Sequence, residues 1–188
     1  MEIAFGVALL VLAGAVVLLF AMFGELASRV GDPEENGRWT GTRPLEEAHL
    51  GAEPSRWPEE LSAVGAAAEG LLLVLSPTCG SCQEVARQLV TEGGPSRVRP
   101  FALAVSCSAA EVGRAFIEEQ SLERYPYFID EAGEWVRTEL GVHSSPVGLF
   151  FTGGRLVAAH VFGDVNALNA LAESVFAQPE QQRQEVKA

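Results

Sequence analysis

The chain has 188 residues, with 13 basic and 25 acidic side chains and a formal net charge of −12. A chain of this length normally forms one domain, and the lack of a basic cluster in the sequence argues against a nucleic-acid partner. Three cysteines are too few for a fold held by a disulfide framework. The close pair Cys79 and Cys82 and the distant Cys107 therefore need another explanation.

The first predicted element is a transmembrane helix over residues 3–23. This segment contains no charged side chain, and at ~1.5 Å per residue a helix of its length spans ~30 Å, about the hydrocarbon thickness of a bilayer. A cleaved signal peptide would have a basic start and a shorter apolar run. We therefore interpret residues 1–30 as an uncleaved single-pass anchor in the cell membrane.

Prolines and glycines are dense over residues 31–58, which predicts a linker. The polar residues 178–188 predict a flexible tail. Residues 59–177 are then expected to form the folded domain.

Within residues 59–177, patterns typical of strands and helices alternate. The predicted elements begin with a helix after Pro58, a buried strand over 71–76 and a helix from Cys82 to the glycines at 93 and 94. A buried strand over 100–106 follows, and then a helix opened by a capping box of Ser108 and Glu111. A shorter apolar segment over 125–130, a hairpin of strands 145–151 and 155–162, and a last helix capped by Asp164 complete the domain. Strands and helices that alternate before a terminal hairpin and helix predict an α/β fold with a mixed central sheet flanked by helices.

The motif SPTCGSC, at residues 76–82, places two cysteines between a predicted strand and a predicted helix. Backbone N–H groups and the dipole at a helix N-terminus stabilise an anion, and the thiolate is the nucleophile of thiol–disulfide exchange. Cys79 is expected nearer to solvent, as the attacking cysteine, and Cys82 on the apolar side, as the resolving cysteine. A C-x-x-C motif near a βαβ pattern is typical of a thioredoxin-like redox site.

Three other interpretations of the cysteines remain open. A zinc site would need two further ligands, but the sequence has no second C-x-x-C motif and its histidines are scattered at positions 49, 143 and 160. Two inert buried cysteines are a second interpretation. A copper-delivery site, which needs a suitable histidine, is a third. We predict no bound metal and no cofactor other than a redox-active disulfide between Cys79 and Cys82.

Three segments resemble the membrane-anchored thioredoxin-like family of the TlpA/ResA type, and within it the MauD maturation proteins of methylamine dehydrogenase systems. They are GELASRV after the apolar segment, LSPTCGSC at residues 75–82, and the block YPYFIDEAGEWVRTELGVHSSPVGLFFTGGRLVAAHVFGDVNALNAL at residues 125–171. The resemblance implies a thioredoxin-like fold in which Pro146 is a cis-proline facing the dithiol. Ser145, Pro146 and Thr78 are then the expected client-binding residues.

The chain also departs from the family pattern. Gly80 and Ser81 replace the proline-containing dipeptides common between these cysteines, and Leu73 stands where thioredoxins carry a buried acid. Glu84 is expected in the first turn of the helix, where its charge would raise the pKa of a nearby thiolate. The sequence therefore leaves open whether the site oxidises or reduces its client. Cys107 and His143 are candidate accessory residues near the same cleft.

The expected function is that of a membrane-tethered thiol–disulfide oxidoreductase acting on exported client proteins, with an amine dehydrogenase subunit as one candidate client. Alternatives are an outward-facing reductase for cytochrome c maturation and a non-catalytic maturation factor that binds a client or a metal. The positive-inside rule alone would place the domain in the cytoplasm, because Arg29, Arg38 and Arg43 follow the apolar segment. Disulfide chemistry favours the extracytoplasmic side, where a multi-span membrane protein is the expected electron partner.

Overall fold

The computed structural model describes Gly14 and residues 41–95 and 100–185. The chain divides into two compact units, Met1–Arg38 and Trp39–Ala188. Apart from Gly14, which is helical, every described residue belongs to the second unit. The predicted transmembrane helix over 3–23 lies outside the described residues except at this one glycine.

The described part of the chain contains six strands and five α-helices. In chain order they are β1 (Thr42–Pro44), α1 (Ser62–Ala66, directly after a 3₁₀ turn at Glu59–Leu61), β2 (Glu69–Leu75), α2 (Gly80–Thr91), β3 (Phe101–Cys107), α3 (Ala110–Glu119), β4 (Tyr127–Glu131), α4 (Glu134–Leu140), β5 (Val147–Thr152), β6 (Arg155–Phe162) and α5 (Val165–Glu185).

The strands form one mixed sheet in the order β1-β6-β5-β2-β3-β4. β2, β3 and β4 run parallel, whereas β5 pairs antiparallel with β2 and β6 pairs antiparallel with β5 and β1. Two strand–helix crossovers that lead into a terminal hairpin and helix form the connectivity of a thioredoxin-like domain. This result confirms the predicted α/β fold with a mixed sheet.

Both faces of the sheet are covered, so β2 is buried from Gly70 to Leu75. Its alternate side chains enter two separate cores: Leu73 packs with α2, α3 and α5 on one face, and Val74 packs with α1 and α4 on the other. A strand buried on both faces carries a continuous apolar run rather than an alternating one, which is why LLLVL identified it. The carboxyl ends of β2 and β3 lie side by side at one edge, where open α/β sheets place their ligand sites.

The N-terminal segment of the described domain differs from the predicted linker over 31–58. Thr42–Pro44 pair with β6, Leu45 and Ala48 are buried in the second core, and Trp57 contacts Trp135 with ring centroids 5.6 Å apart. Closely spaced prolines and glycines exclude a long helix or strand. They do not exclude an irregular segment that packs on the domain through a few apolar side chains. Residues 42–57 are therefore part of the folded body.

Three further differences concern helices. The predicted capping box is wrong, because α3 begins at Ala110 after Ala109 as N-cap and has no side-chain cap bond. Helix α4 was not predicted from the sequence; it has seven residues and is bounded by Gly133 and Gly141, which have φ of 61° and 69°. Helix α5 runs to Glu185, past residue 178 where the tail was predicted. The Asp164 cap is confirmed, because its Oδ1 accepts the N–H of Ala167 at 2.7 Å.

Among the described residues, no helix is both long enough and apolar enough to cross a membrane.

Candidate functional site

The two cysteines of the C-x-x-C motif lie where β2 passes into α2. Cys79 is the N-cap residue of α2 and has an extended backbone, with φ of −97° and ψ of 117°. Its N–H donates to the carbonyl of Ser76 at 3.2 Å, and its own carbonyl accepts the N–H of Gln83 at 3.1 Å. The helix thus begins at Gly80 and not at Cys82 as predicted, which places Cys82 inside the first turn.

The two thiols differ in exposure, as the sequence predicted. Cys79 is partly exposed, whereas Cys82 has 0 % of its surface exposed and packs in the core with Val85 and Ala86. Both are free cysteines, and they approach each other to 3.2 Å. An accessible thiol beside a buried thiol is the arrangement in which the first can react with a partner and the second can displace that partner.

Burial raises the pKa of Cys82 to about 12. The side chain of Ser145 and the backbone of Ser76 act in the opposite direction and lower this pKa, while the neighbouring Cys79 raises it further. Cys82 is therefore a neutral thiol near pH 7 and must lose its proton to act as a nucleophile. The role of Ser76 was not predicted, although this residue opens the SPTCGSC segment three positions before Cys79.

Glu84 does not lie in the first turn of the helix as predicted. Because α2 begins at Gly80, Glu84 is its fifth residue, and the first turn contains no acidic residue. The carboxylate of Glu84 pairs with Arg87 at 2.5 Å and accepts a hydrogen bond from Gln88 at 3.2 Å.

The loop before β5 reaches the dithiol from the distant C-terminal half of the chain. The peptide bond between Ser145 and Pro146 is cis, as the resemblance implied. The Cys79 thiol donates to the carbonyl oxygen of Ser145, with Sγ and O 3.5 Å apart. Ser145 thus contacts both cysteines, one through its main chain and the other through its side chain.

The remaining predicted residues lie around this edge. Thr78 is exposed and its hydroxyl lies 3.2 Å from that of Ser76. Cys107, the last residue of β3, is 7 % exposed and lines a cavity of about 270 Å³ together with Pro77 and Thr78. His143 is exposed and lines a different cavity, described below.

Burial also raises the pKa of Cys107, and the backbones of Gly113 and Ala109 partly oppose this increase. Near neutral pH this cysteine is therefore a protonated thiol held against α3. The structure brings Cys107 to the same edge as the dithiol without exposing it to solvent.

Over residues 41–95 and 100–185, no group of three or more histidine, cysteine, aspartate or glutamate side chains is arranged to hold a metal ion.

No protein-family model matches the chain, and no curated protein matches it. Solved structures that match include StoA from Bacillus subtilis, at 17% identity over 70% of this chain and 98% of that one, with a TM-score of 0.44. A secreted disulfide oxidoreductase from Mycobacterium tuberculosis, described as homologous to E. coli DsbE, matches at 19% identity over 60% of this chain and 84% of that one, with a TM-score of 0.43. The thioredoxin domain of a thiol-disulfide oxidoreductase from Bacteroides vulgatus matches at 15% identity over 58% and 79% of the two chains, with a TM-score of 0.44. Because these identities and TM-scores are low, the fold assignment rests on the connectivity and geometry of the chain itself.

Proposed function

We propose that this protein is a thiol–disulfide oxidoreductase that uses Cys79 as the attacking cysteine and Cys82 as the resolving cysteine. The observation that carries the proposal is the pairing of a partly exposed thiol with a fully buried one, 3.2 Å apart, at a strand–helix junction. A structural pair of cysteines would have no reason to differ in this way, because inert cysteines are normally both buried.

The exchange proceeds in two displacements. The Cys79 thiolate attacks one sulfur of a client disulfide, forms a mixed disulfide and releases the other client sulfur as a thiolate. Cys82 then attacks Cys79 and releases the second client sulfur, which leaves a Cys79–Cys82 disulfide and a reduced client. Two electrons pass from the protein to the client, and the reverse sequence oxidises a client dithiol.

The second displacement requires Cys82 to lose a proton, and its raised pKa opposes that loss. Leu73 is fully buried on the adjacent strand and offers no acid–base group. The second client sulfur leaves as a thiolate in this displacement and takes up the proton that Cys82 loses, so no free Cys82 thiolate has to accumulate. Proton transfer to the leaving client therefore lets the resolving step proceed without a carboxylate of the protein.

The direct test is an insulin-reduction assay and a refolding assay of reduced ribonuclease, both with the full-length chain. Cys79→Ser is expected to lower the exchange rate to background, and Cys82→Ser to accumulate a mixed disulfide. Cys107→Ser, the same substitution at the third cysteine, is the matched control and should retain wild-type activity. Full activity in both Cys79→Ser and Cys82→Ser would exclude the redox mechanism.

The proposal extends to location and client. A single-pass anchor at residues 3–23 would hold the domain on the extracytoplasmic side, where client disulfides form and a multi-span membrane protein would exchange electrons with the dithiol. A cysteine added to residues 178–188 of a variant without native cysteines would test the orientation. We expect an impermeant maleimide to label it in intact cells, and protection from the reagent would place the domain on the cytoplasmic side.

The proposed client is an exported protein, and the resemblance to MauD proteins indicates an amine dehydrogenase subunit as the first candidate. Trapping by the Cys82→Ser variant in the native host, followed by mass spectrometry of the disulfide-linked partner, identifies the client directly. A trapped cytochrome c apoprotein would instead support the reductase role, and the reduction potential of the Cys79–Cys82 pair would separate an oxidant from a reductant.

A further inference from the structure

A polar cavity of about 190 Å³ lies beside the dithiol, on the sheet face covered by α4. The hydroxyl-bearing residues Ser76, Ser106, Ser144 and Ser145 line it, and so do the basic residues Arg137 and His143. One water occupies about 30 Å³ in the liquid, so the cavity has room for several waters or for a small polar group.

The charge of this cavity is opposite to that of the whole protein. The chain carries 25 acidic and 13 basic side chains, yet the cavity is lined by Arg137 and His143 and by no aspartate or glutamate among the described residues. Within that described part of the chain, no carboxylate lies within ion-pair distance of Arg137. The Arg137 guanidinium therefore remains available to an anion from outside.

One hydroxyl in the cavity has no partner. In the part of the chain that the structure describes, Oγ of Ser144 is buried and makes no hydrogen bond. Buried polar atoms are nearly always hydrogen-bonded, and an unpaired one costs free energy. A hydroxyl can donate to an oxyanion, and a change of the Ser144 rotamer would turn this oxygen from its buried position toward the cavity that Ser144 lines, as a second, neutral contact for the same ligand as Arg137.

The cavity also touches the reacting groups. Ser145 lines it and at the same time accepts the Cys79 thiol through its carbonyl. Ser76 lines the cavity as well, and its backbone lowers the pKa of Cys82. A group attached to the client near its reacting cysteine can therefore enter the cavity while that cysteine is bonded to Cys79.

We propose that this cavity binds the carboxylate of an acidic side chain of the client, located within about three residues of the cysteine that reacts with Cys79. The inference rests on the proposed exchange function and names a preference of that same site. Three extended residues span about 10 Å, which sets the range. Guanidinium and hydroxyl groups are suitable donors for a carboxylate, and Arg137 is the specificity-determining residue.

The test uses pairs of disulfide-linked peptides that are identical except for glutamate or glutamine at one position within three residues of the cysteine. The rate constant of exchange with the reduced full-length chain is measured for each pair. We expect the best-placed glutamate peptide to react about three- to ten-fold faster than its glutamine partner. Arg137→Gln is expected to remove this difference between the glutamate and glutamine peptides.

Arg114→Gln is the matched control, because it removes the same charge from an exposed arginine of α3 that pairs with Glu111 at 3.7 Å. It should keep the glutamate preference, which separates a local contact from the effect of net charge. Ser144→Ala should weaken the preference without lowering the thermal midpoint, because the hydroxyl that it removes has no partner in the folded chain.

Equal rates for every peptide pair in the active wild-type protein would overturn the cavity assignment and leave the exchange function standing. Thermal stabilisation of the chain by free acetate, combined with equal peptide rates, would also overturn it, because the cavity would then take a free carboxylate and not a client side chain. Absence of exchange with all peptides would instead contradict the proposed function.

Discussion

Two adjacent parallel strands end near cysteines at the same edge of the sheet, and the two regions differ in chemistry. β2 leads to Cys79 and Cys82, whereas β3 ends in Cys107. Cys82 and Cys107 are both buried, at 0 % and 7 % exposure, and burial raises the pKa of both. Only Cys82 has a partly exposed thiol next to it, at 3.2 Å. In the exchange mechanism proposed above, a position at the edge of the sheet is therefore insufficient, because the buried thiol also needs an accessible thiol beside it.

The surroundings of the two buried thiols explain this difference. The end of β2 turns into a helix whose N-cap is itself a cysteine, so the second thiol meets the first within one turn. The end of β3 leads to α3, and there Gly113 brings the helix backbone against the Cys107 sulfur. Cys107 thus packs against the backbone of α3 and also borders the cavity of about 270 Å³ that Pro77 and Thr78 line.

The strongest contrast is expected in covalent trapping. With oxidised clients, Cys82→Ser should accumulate mixed disulfides through Cys79, because the resolving thiol is gone, and turnover should fall to background. Cys107→Ser should trap nothing and keep full turnover. Non-reducing gels and mass spectrometry of the linked peptides provide the measurement. A client linked to Cys107 in the wild-type chain would contradict the expectation that clients react at the end of β2 and not at the end of β3.

Alkylation rates should distinguish the accessible Cys79 from the buried Cys82 and Cys107. In the reduced, folded protein at pH 7.5 we expect iodoacetamide to modify Cys79 at least about ten-fold faster than Cys82 or Cys107, because the thiolate is the nucleophile and burial keeps the other two protonated. Peptide mass spectrometry over time gives the three rates. In urea the three rates should converge. Cys107 labelled as fast as Cys79 in the native protein would contradict the assigned burial.

The packing at the end of β3 should respond to one added methyl group. A Cβ at position 113 would lie 2.9 Å from Sγ of Cys107 and 2.9 Å from Cγ2 of Ile129. Overpacking costs ~1–3 kcal/mol, and the better helix propensity of alanine recovers ~1 kcal/mol. Gly113→Ala should therefore lower the free energy of unfolding by about 1 kcal/mol, measured in urea, with a smaller loss in a Cys107→Ala background.

Gly80→Ala in α2 is the control for that substitution, because no atom lies within 4 Å of the position that the added methyl group would take. It is expected to raise the free energy of unfolding by ~0.5–1 kcal/mol. If Gly113→Ala were as stabilising as Gly80→Ala, the contact between α3 and Cys107 would be looser than the structure indicates.

A further expected effect is a dependence of stability on alkaline pH. The pKa of Cys82 is raised from 9.0 in the unfolded reference to about 12 in the folded chain, so the unfolded state releases the proton first. The contribution to stability is fully present below pH 9 and is lost as the pH rises through the folded value, with a loss of about 1 kcal/mol by pH 10. Cys107 shifts in the same direction.

Urea unfolding of the reduced protein at pH 8 and pH 10 measures this effect. The decrease between the two pH values should be smaller in Cys82→Ala, because that variant lacks the titrating thiol. An equal decrease in wild type and Cys82→Ala would show that the folded pKa of Cys82 is not raised.

Local signals in the sequence predicted most elements near the dithiol. The apolar run LLLVL identified the central strand, the helical spacing after Cys82 identified α2, and the glycines at 153 and 154 identified the hairpin. These features depend on neighbouring residues, so a short window of sequence contains the information. The different exposure of Cys79 and Cys82 also follows from their positions on one turn.

Other features depend on which distant segments meet. α4 is only seven residues long and is held by the carboxylate of Asp130, which accepts the N–H groups of Trp135 and Val136 at 3.0 Å each. Asp130, Gly133 and Gly141 were the available signals for this helix, but so short a helix has too few periodic positions to be identified by hydrophobicity alone.

The sequence by itself determined the order of most strands and helices, though not β1 and α4, and it placed the C-x-x-C motif between a strand and a helix. These features are encoded by residues a few positions apart. Only the tertiary structure brought the carbonyl of Ser145 to 3.5 Å from the sulfur of Cys79, across 66 positions of chain. It also brought together Arg137, His143 and Ser144 beside the dithiol and placed Cys107 against α3. The physical reason is that burial, cavity lining and pKa shifts are set by side chains from several elements at once, and their meeting depends on sheet order and packing.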